Sequence, residues 1–533
     1  MMQTVRGVSG MVTAPHREAA AAGARILAAG GTAIEAALAT AATLTVVYPH
    51  MTGLGGDSFW LIATPGQAPV AIDGAGRAGA GVSARLYAGE GLAAIPWRGP
   101  LAAITVAGAV AAWQEALAIN AGWGGKLPPA ALFADAIRHA EQGTAVTASH
   151  ADALATHGAV LGAVSGFRGL HAVHGRWPAC GEILRQPALA QTLALLARDG
   201  LRSFYEGALA RRIAAELAQA GAPLTAADLA MQHATVRQPL RLGLPVAQVF
   251  NTGPPSQGLA SLLILALFTR LGVTEPDGFA HVHGLVESTK RAFAIRDREI
   301  GHREDDGADL AHHLAPAALA AQVAAIDPQR AAPWPAGHGA GDTVWFGCID
   351  AAGRAVSVIQ SIYFEFGSGL ALPESGFVWQ NRGSAFRLTG GGPNLIGPGR
   401  KPFHTLNPAL ARFADGRVMV YGAMGGDGQP QTQAALFTRY ALFSQDLQEA
   451  ISAPRWLLGR TWGESHTALR LESRFPGALF RQLATAGHSV EPAAAFDQAM
   501  GHAGAIVHRP GQGFEGASDP RSDGAAVAAD PEA

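Results

Sequence analysis

The segment Asp342-Thr343-Val344-Trp345-Phe346-Gly347-Cys348-Ile349-Asp350 alternates its side chains with the two-residue period of a buried β-strand. A linker rich in glycine, proline and histidine, 333–341, precedes it. A turn and a second apolar run, 355–361, follow and predict a hairpin. This layout is typical of a precursor that cleaves itself before Thr343, because the freed threonine would carry both a nucleophilic hydroxyl and an α-amine that can act as its base.

An α-amine suits the role of a base near neutral pH. Its pKa lies near ~8, so a useful fraction is unprotonated, whereas a lysine ammonium, near ~10, would need tuning. The alternative interpretation is that Thr343 is only the first residue of a strand, and the local segment by itself favours that simpler interpretation. Three motifs later in the chain reverse the preference.

The first motif, 360–369, closes the return strand of the hairpin. Pairing within the hairpin can bring Ser361 next to Thr343, where its hydroxyl would hold the threonine oxygen and amine in a productive geometry. An ordinary strand end followed by a glycine turn is an equally good interpretation of this segment.

The second motif, 421–433, contains a strand, then Gly425-Gly426, then the start of a helix. Backbone N–H groups exposed at such a turn can stabilise a developing oxyanion. A purely structural turn is the alternative. A phosphate loop is not expected, because the segment lacks a Gly-Lys-Ser/Thr ending.

The third motif, 398–408, places Arg400 and Lys401 beside prolines that restrict the backbone. These two cations could frame an anionic substrate, and His404 and Thr405 would then form part of the pocket wall. A solvated surface loop is the alternative, and it is the commoner role for such runs.

The first hundred residues alternate helices and strands, and the residues from about 105 to 325 are mainly helical. A C-terminal third rich in strands beside this helical middle predicts a layered α+β core. Alanine-rich helices are expected at 18–29 and 33–45, on either side of Gly30-Gly31. Helical apolar spacing recurs at 130–140, 186–197, 208–220, 255–271 and 283–298, and strands are expected at 58–63, 69–73, 377–380 and 417–422. The tail, 511–533, is rich in glycine, aspartate, proline and alanine and is expected to be disordered.

Composition excludes several classes of function. The 533 residues carry a net charge of −2, which gives no electrostatic case for binding nucleic acid or an anionic membrane. Cys180 and Cys348 form no C-x-x-C pair, so a disulfide framework or a structural zinc site is not expected. The N-terminus lacks the apolar core of a secretory signal, and no apolar run reaches membrane-spanning length, so a cytoplasmic protein is expected.

Metal binding and other cofactors are not expected either. His281, His283, Glu287 and His302 lie close in sequence, but no second histidine falls at helical spacing to complete a ligand set. The glycines of 74–79 resemble a dinucleotide fingerprint, but they lack a following helix and a suitably placed acidic residue.

Taken together, these motifs resemble those of the γ-glutamyltranspeptidase family of N-terminal nucleophile hydrolases, over nearly the whole chain. The matching segments are Gly53-Leu54-Gly55-Gly56-Asp57, Asn251-Thr252-Gly253-Pro254-Pro255-Ser256, the helix with Glu287 and Lys290, Thr343, Phe366-Gly367, Pro398-Gly399 and Gly425-Gly426. Their order and spacing make the resemblance specific. It implies a four-layer αββα sandwich, produced by autocleavage into a large subunit, 1–342, and a small subunit, 343–533.

The resemblance also implies roles for individual residues. Thr343 would be the nucleophile, and Ser361 would be its hydrogen-bonding neighbour. Gly425 and Gly426 would form the oxyanion hole.

Several substrate-contacting positions depart from the family's pattern. The family's carboxylate-binding arginine is replaced here by Ala75, with Arg77 nearby, and its two amine-binding residues are replaced by Tyr363 and Ala385. Arg382 replaces the family's glutamine, and His404-Thr405 replaces its paired serines. Without an ammonium-binding acid, the site would bind γ-glutamyl groups poorly, because that cation would lose a charge-assisted partner. An added arginine favours a small carboxylate that has no amine. The expected substrate-binding residues are therefore Tyr363, Arg382, His404, Thr405 and Arg77.

This combination resembles the oxamate amidohydrolase branch of the family, which belongs to purine degradation. The expected function is an autoprocessing threonine amidohydrolase that converts oxamate to oxalate and ammonia, through attack by Thr343 and hydrolysis of an oxalyl ester. The alternatives are a γ-glutamyl hydrolase or transpeptidase, a cephalosporin-type acylase and, least favoured, an uncleaved scaffold without enzymatic activity. The expected partners are a small amide substrate and the two subunits of one precursor, with a homodimer of that heterodimer left open.

Overall fold

Strands and helices alternate along most of the described chain. The computed structural model describes residues 2–305, 307–334, 342–459 and 467–530, and at 342 only the main chain. The strands are β1 (Val5–Gly7), β2 (Gly10–Ala14), β3 (Asp57–Ala63), β4 (Val70–Gly74), β5 (Thr144–Ala145), β6 (Ile183–Leu184), β7 (Thr235–Arg237), β8 (Leu240–Gly243), β9 (Ala247–Asn251), β10 (Asp342–Asp350), β11 (Ala355–Tyr363), β12 (Ala371–Leu372), β13 (Phe377–Val378), β14 (Ala409–Phe413), β15 (Val418–Ala423), β16 (Trp456–Leu458), β17 (Leu469–Glu472), β18 (Val490–Ala493), β19 (Ala503–Arg509), β20 (Gly513–Ser518) and β21 (Ala525–Ala528). The α-helices are α1 (Arg17–Ala28), α2 (Ala33–Val47), α3 (Ala84–Gly89), α4 (Ala109–Gly122), α5 (Pro129–Gln142), α6 (Ala148–Leu161), α7 (Phe167–His171), α8 (Pro187–Asp199), α9 (Gly207–Gln219), α10 (Ala226–Ala230), α11 (Gly258–Arg270), α12 (Phe279–Glu299), α13 (Pro316–Ala324), α14 (Gly428–Phe437), α15 (Leu447–Ser452) and α16 (Gly477–Thr485).

Two seven-stranded antiparallel sheets pack face to face at the centre of the molecule. Sheet I has the strand order β1-β20-β19-β15-β14-β9-β8, and sheet II has the order β21-β2-β10-β11-β3-β4-β7. The facing surfaces are apolar: Met11, Phe59 and Ile359 of sheet II pack with Leu410 and Val420 of sheet I. Burial of these side chains between the sheets is the hydrophobic contribution that holds the two sheets together.

Helices cover the outer face of each sheet. On sheet II, α1, α2, α4, α5 and α8 share a core with Val344, Phe346 and Cys348 of β10. On sheet I, α11, α12 and α14 share a core with β9, β14 and β15. The layers therefore run helix, sheet, sheet, helix, and the predicted four-layer αββα sandwich is confirmed.

Trp345 lies between the two sheets and locks β10 to sheet I. Its indole Nε1 donates a hydrogen bond of 3.0 Å to the Ser357 hydroxyl of the neighbouring strand. A Cβ atom at Gly422 would lie 2.1 Å from the indole ring, and one at Gly504 would lie 2.4 Å from it. Glycine is therefore required at both positions of sheet I, because any side chain there would occupy the space of the tryptophan.

Most predicted helices and strands are present, with ends that differ by a few residues. The helices expected at 18–29 and 33–45 are α1 and α2, and Gly30 between them has a φ of +83°. Thr32 and Glu35 form a capping box at the start of α2. The predicted hairpin after residue 342 is the β10–β11 pair. From residue 335 to residue 341, the predicted linker lies outside the described residues.

The prediction of a disordered tail at 511–533 is wrong for the residues that the structure describes. There β20 lies inside sheet I between β1 and β19, and β21 forms the edge of sheet II beside β2. Between these strands, Arg521 forms buried ion pairs with Glu472 (2.6 Å) and Asp519 (3.0 Å). The polar composition of the tail misled the prediction, because its charged residues are paired and its small residues fit against neighbouring strands.

Within the described ranges, no helix combines the length and the apolar character needed to cross a membrane.

Replacing Arg521 by leucine tests the contribution of the tail to stability. The variant leaves the buried carboxylates of Glu472 and Asp519 with fewer cationic partners, which should lower the free energy of unfolding by about 3–5 kcal/mol. The measurement is the midpoint of urea denaturation followed by circular dichroism. Arg481→Leu, at an exposed position, is the control, and equal midpoints for the two variants would contradict a stabilising tail.

Candidate active site

Thr343 lies at an irregularity in the pairing of β10 with β11. Asp342 pairs with Tyr363, but Val344 pairs with Gln360, so Ser361 and Ile362 together oppose the single residue Thr343. Such a β-bulge bends the strand and redirects side chains. The threonine is fully buried. The hairpin thus brings Ser361 beside Thr343, as the sequence suggests, whereas the catalytic role of each residue stays a prediction.

The bulge is held by a local hydrogen bond and carries backbone strain. The Ser361 hydroxyl accepts a hydrogen bond of 2.7 Å from the Tyr363 amide. Tyr363 has a φ of +82°, a conformation that costs a non-glycine residue about 1–3 kcal/mol. Strain of this kind persists only where the surrounding structure enforces it, and it is concentrated at functional sites.

The Gly425-Gly426 turn lies between β15 and α14. The two glycines have φ values of +118° and +53°, which suit residues without a Cβ. The Gly428 amide donates to the Gly425 carbonyl at 2.7 Å and closes the turn at the start of α14. The side-chain nitrogen Nε2 of Gln429, in the first turn of α14, donates to the Thr343 hydroxyl oxygen at 3.4 Å. The turn and the N-terminus of α14 are thus next to Thr343, where they can stabilise negative charge.

Arg382 places a buried cation in the same region. Its side chain is 1% exposed, and its Cζ lies 3.6 Å from the centre of the Tyr363 ring. One nitrogen, Nη2, donates to the Thr405 hydroxyl at 3.3 Å. Within the described residues, Nε and Nη1 have no hydrogen-bond partner, and the guanidinium forms no ion pair.

The charge of Arg382 is therefore available to a ligand. Burial lowers the pKa of its guanidinium to about 10, so it remains protonated at neutral pH. Among the described residues Arg382 pairs with neither Glu365 nor Glu374, and a Glu365 carboxylate oxygen lies 3.7 Å from His157. A buried cation with free donors is costly unless an anion completes it.

His404 is held by a buried carboxylate that the sequence analysis did not single out. Its Nε2 lies 2.8 Å from one oxygen of Asp57, and the other oxygen accepts hydrogen bonds from Gly76, Gly108 and Gln380. Burial raises the pKa of Asp57 to about 7. Burial, followed by the Arg382 charge, holds the pKa of His404 well below its usual range, so its imidazole is neutral. In the described structure His404 Nδ1 has no partner.

Gln257 connects the loop that contains Thr405 to the Gly425-Gly426 turn. Its side-chain nitrogen donates to the carbonyl of Thr405 at 2.9 Å and to the carbonyl of Gly426 at 3.0 Å. Its side-chain oxygen accepts from Arg296 at 3.0 Å, and Arg296 is paired with Asp427 at 2.7 Å. A single buried amide therefore fixes the spacing between the two loops.

Arg77 does not join the other predicted residues. Its guanidinium is paired with Glu304 at 3.1 Å and donates to the Gly399 carbonyl at 2.9 Å. Of the two cations in the third motif, Lys401 is paired with buried Asp73 at 2.7 Å, and Arg400 donates to a backbone carbonyl. Arg77 and Lys401 are therefore committed to protein carboxylates, whereas the buried Nε of Arg400 has no hydrogen-bond partner among the described residues.

A cleft of about 440 Å³ lies next to Tyr363. Trp97, Phe364, Ala385 and Phe386 are among its lining residues. Tyr363 and Phe364 stack at 4.5 Å and pack against Ala385. The positions that would bind a substrate amine in a transpeptidase are thus apolar here.

His283 and Glu287 of α12 meet His488, so three potential metal ligands lie together. Lys290 donates to Glu287 at 2.7 Å, and His283 Nδ1 lies 2.9 Å from His488 Nε2. Lys290 also donates to the Ala332 carbonyl. An ammonium group already neutralises this carboxylate, so the cluster is explained as an anchor for the segment before the predicted linker.

The sequence analysis missed Asp57, Gln257 and Gln429 as site residues. Each falls inside or directly after a glycine-rich motif that it did quote, which is the signal that could have identified them.

Comparison with known proteins gives a consistent result. The family model described as gamma-glutamyltranspeptidase matches residues 19–529. The oxamate amidohydrolase proenzyme of Klebsiella pneumoniae subsp. pneumoniae is 53% identical over 97% of this chain and 98% of its own length. The glutathione hydrolase-like YwrD proenzyme of Bacillus subtilis is 38% identical over 99% of this chain and 100% of its own length.

A solved structure supports the same architecture. The crystal structure of cephalosporin acylase from Bacillus halodurans superposes with a TM-score of 0.91 at 31% identity, covering 100% of this chain and 98% of that one.

Gln257→Leu tests the connection between the two loops. It removes the donor shared by Thr405 and Gly426, and unsatisfied buried groups cost about 1–3 kcal/mol each, so kcat for amide hydrolysis should fall roughly 10- to 100-fold. The measurement is the separation of kcat from KM, with circular dichroism to confirm folding.

The matched control is Gln448→Leu, which removes another buried amide that bonds Ser452 and Ser518 away from these loops. It should lower stability and leave kcat nearly unchanged. Equal losses of kcat in the two variants would mean that Gln257 contributes only to stability.

Proposed function

The chain belongs to the γ-glutamyltranspeptidase family of N-terminal nucleophile hydrolases and is an enzyme of that family, and on that premise we propose that it cleaves itself before Thr343 and hydrolyses oxamate to oxalate and ammonia. Relatives described as proenzymes support the maturation step. The high identity to an oxamate amidohydrolase proenzyme supports the choice of substrate.

The observation that carries the proposal is the environment of Arg382. The guanidinium is buried, charged at neutral pH and has two nitrogens without a partner among the described residues. A carboxylate adjacent to the scissile amide would form a bidentate pair with Nη2 and one of these two nitrogens. Tyr363 and Ala385 offer no carboxylate for a substrate amine, so an acid without an amine fits better than a γ-glutamyl group.

The reaction follows from the groups around Thr343. The threonine oxygen attacks the carbonyl carbon of the substrate amide while its proton passes to the α-amine. The backbone N–H groups of Gly425 and Gly426 donate hydrogen bonds to the developing oxyanion. The carbon–nitrogen bond then breaks, and that proton leaves with ammonia. Water attacks the resulting oxalyl ester and releases oxalate, which regenerates the threonine hydroxyl.

His404 and Thr405 would orient the substrate. With Asp57 ionised, Nε2 of His404 donates to the carboxylate, and the neutral Nδ1 is left as an acceptor for an amide N–H group. The Thr405 hydroxyl accepts a hydrogen bond from the Arg382 guanidinium and so holds that group in place. An amide that carries both a carboxylate and N–H donors suits this pair of contacts.

A second candidate is a cephalosporin-type acylase. The cleft of about 440 Å³ beside Tyr363 is larger than a two-carbon acid requires, and sites of roughly 300–1,000 Å³ hold drug-sized ligands. This observation favours an amide with a bulky group on one side of the scissile bond.

Maturation is tested with Thr343→Ala. Denaturing mass spectrometry of the wild type should show fragments 1–342 and 343–533, and the variant should remain one inactive chain because it lacks the hydroxyl nucleophile. Thr343→Ser, which keeps a hydroxyl, is the control and should still cleave. Cleavage of the alanine variant at the same bond, together with retained hydrolysis, would exclude Thr343 as the nucleophile.

Substrate choice is tested with Arg382→Met. A buried guanidinium–carboxylate pair contributes about 2–3 kcal/mol, so kcat/KM for oxamate should fall roughly 30- to 150-fold. Hydrolysis of a neutral amide analogue should change far less, and Arg382→Lys should recover part of the loss because it retains the charge without the planar fork.

The comparison with other substrates separates the candidates. Equal losses on charged and neutral amides would contradict a carboxylate contact at Arg382. A wild-type preference for a γ-glutamyl anilide over oxamate would identify a γ-glutamyl hydrolase, and a preference for a cephalosporin side-chain amide would identify an acylase.

A further inference from the structure

A second cavity, of about 200 Å³, lies beside the end of β11 and outside the cleft next to Tyr363. Ile362, which follows Ser361, forms part of its wall, and Leu170, Phe377 and Val378 add further apolar surface. None of the described residues that line it is acidic. Its polar groups are therefore donors or neutral acceptors.

The N-terminus of helix α8 opens onto this cavity. Gln186, at the N-cap, makes no capping hydrogen bond with its side chain, which donates instead to the Val46 carbonyl at 2.8 Å. The first backbone bond of the helix comes from Ala190, at 3.0 Å. In the described structure the amides of Ala188 and Leu189 thus have no acceptor, and both residues line the cavity. Such amides, at the positive end of a helix dipole, bind anions.

Gly376 packs closely against the first turn of α8. A Cβ atom at this position would lie 2.1 Å from the Leu189 nitrogen. Its φ of +85° also disfavours any other residue. The glycine lines the same cavity, and the absence of a side chain lets this part of the cavity wall approach the first turn of α8 closely.

Two side chains add donors. His171 is 3% exposed and lines the cavity, and neither of its ring nitrogens has a partner among the described residues. Burial lowers its pKa to about 3, so the ring is neutral and offers one N–H group. Arg185, which is exposed, lies at the rim. Both ring nitrogens of His171 are therefore able to hydrogen-bond to a molecule inside the cavity.

We propose that this cavity binds a small aliphatic monocarboxylate. Its carboxylate would accept hydrogen bonds from the Ala188 and Leu189 amides and from Arg185, and its short apolar body would lie against Leu170 and Ile362. The apolar walls distinguish this ligand from a bare inorganic anion, which would leave them in contact with water. The site is separate from Arg382 and does not depend on the proposed reaction.

The test is equilibrium dialysis of the full-length protein with labelled butyrate. We expect saturable binding to one site per chain, with weaker competition by sulfate and by the neutral amide butyramide. Arg185→Gln should weaken binding about tenfold through loss of a charge-assisted hydrogen bond. Arg211→Gln, at an exposed position outside the cavity, is the matched control and should bind like the wild type.

A second variant addresses the helix terminus directly. Ala188→Asp places a carboxylate in the first turn of α8, where it favours the helix and should not impair folding. It should abolish butyrate binding by repelling the ligand. Normal binding by both this variant and Arg185→Gln would overturn the proposal.

Two further outcomes also decide against it. If Arg382→Met alone abolishes binding, butyrate occupies the catalytic pocket and not this cavity. If sulfate binds as tightly as butyrate, the site binds inorganic anions equally well, and the proposed preference for an aliphatic carboxylate is wrong.

Discussion

The packing of Trp345 between the two sheets is the constraint from which the position of Thr343, the proposed nucleophile, follows. The indole fits only because Gly422 and Gly504 of sheet I carry no side chain. The indole fixes the position of β10 relative to sheet I at a point two residues after Thr343. A buried tryptophan of this kind contributes about 3–5 kcal/mol to the free energy of unfolding. With β10 held against sheet I, the bulge opposite Ser361 cannot shift along β11 without displacing the indole. A contact in the sandwich core therefore determines where the Thr343 hydroxyl lies.

The unfavourable free energy of the candidate site comes from groups that are buried away from water. Arg382 retains its charge with two unsatisfied nitrogens among the described residues, and Tyr363 adopts a strained backbone conformation beneath it. The face of the Tyr363 ring offsets part of the desolvation of the guanidinium through a cation–π contact. A surface arginine would be hydrated and would gain little from a substrate carboxylate. Burial makes the same interaction selective, because only an anion of the right shape relieves the penalty.

Both predicted subunits contribute to the site and to the sheets. Asp57, Gln257 and Arg296 come from 1–342, whereas Arg382 and the glycine turn come from 343–533. In sheet II, β10 and β11 lie between β2 and β3, so the strands of the two segments interleave. The core between the layers would keep the two fragments associated after a cut before Thr343, because separating them would expose the apolar faces of both sheets.

Local sequence patterns determined much of this protein. The alternation after Thr343 predicted β10, the turn and return run predicted β11, and the two glycines predicted the turn before α14, because each depends on neighbouring residues. The departures from the family's pattern at Tyr363, Ala385 and Arg382 were also visible in the sequence.

Only the tertiary structure decided which polar groups meet. The support of His404 by Asp57 and the bridge that Gln257 makes to Thr405 and Gly426 join residues from 148 to 347 positions apart. The same long-range packing paired Arg77 with Glu304 and placed the tail in both sheets. Composition and periodicity carry no information about such pairs, since their partners are brought together by the packing of the four layers and not by spacing along the chain.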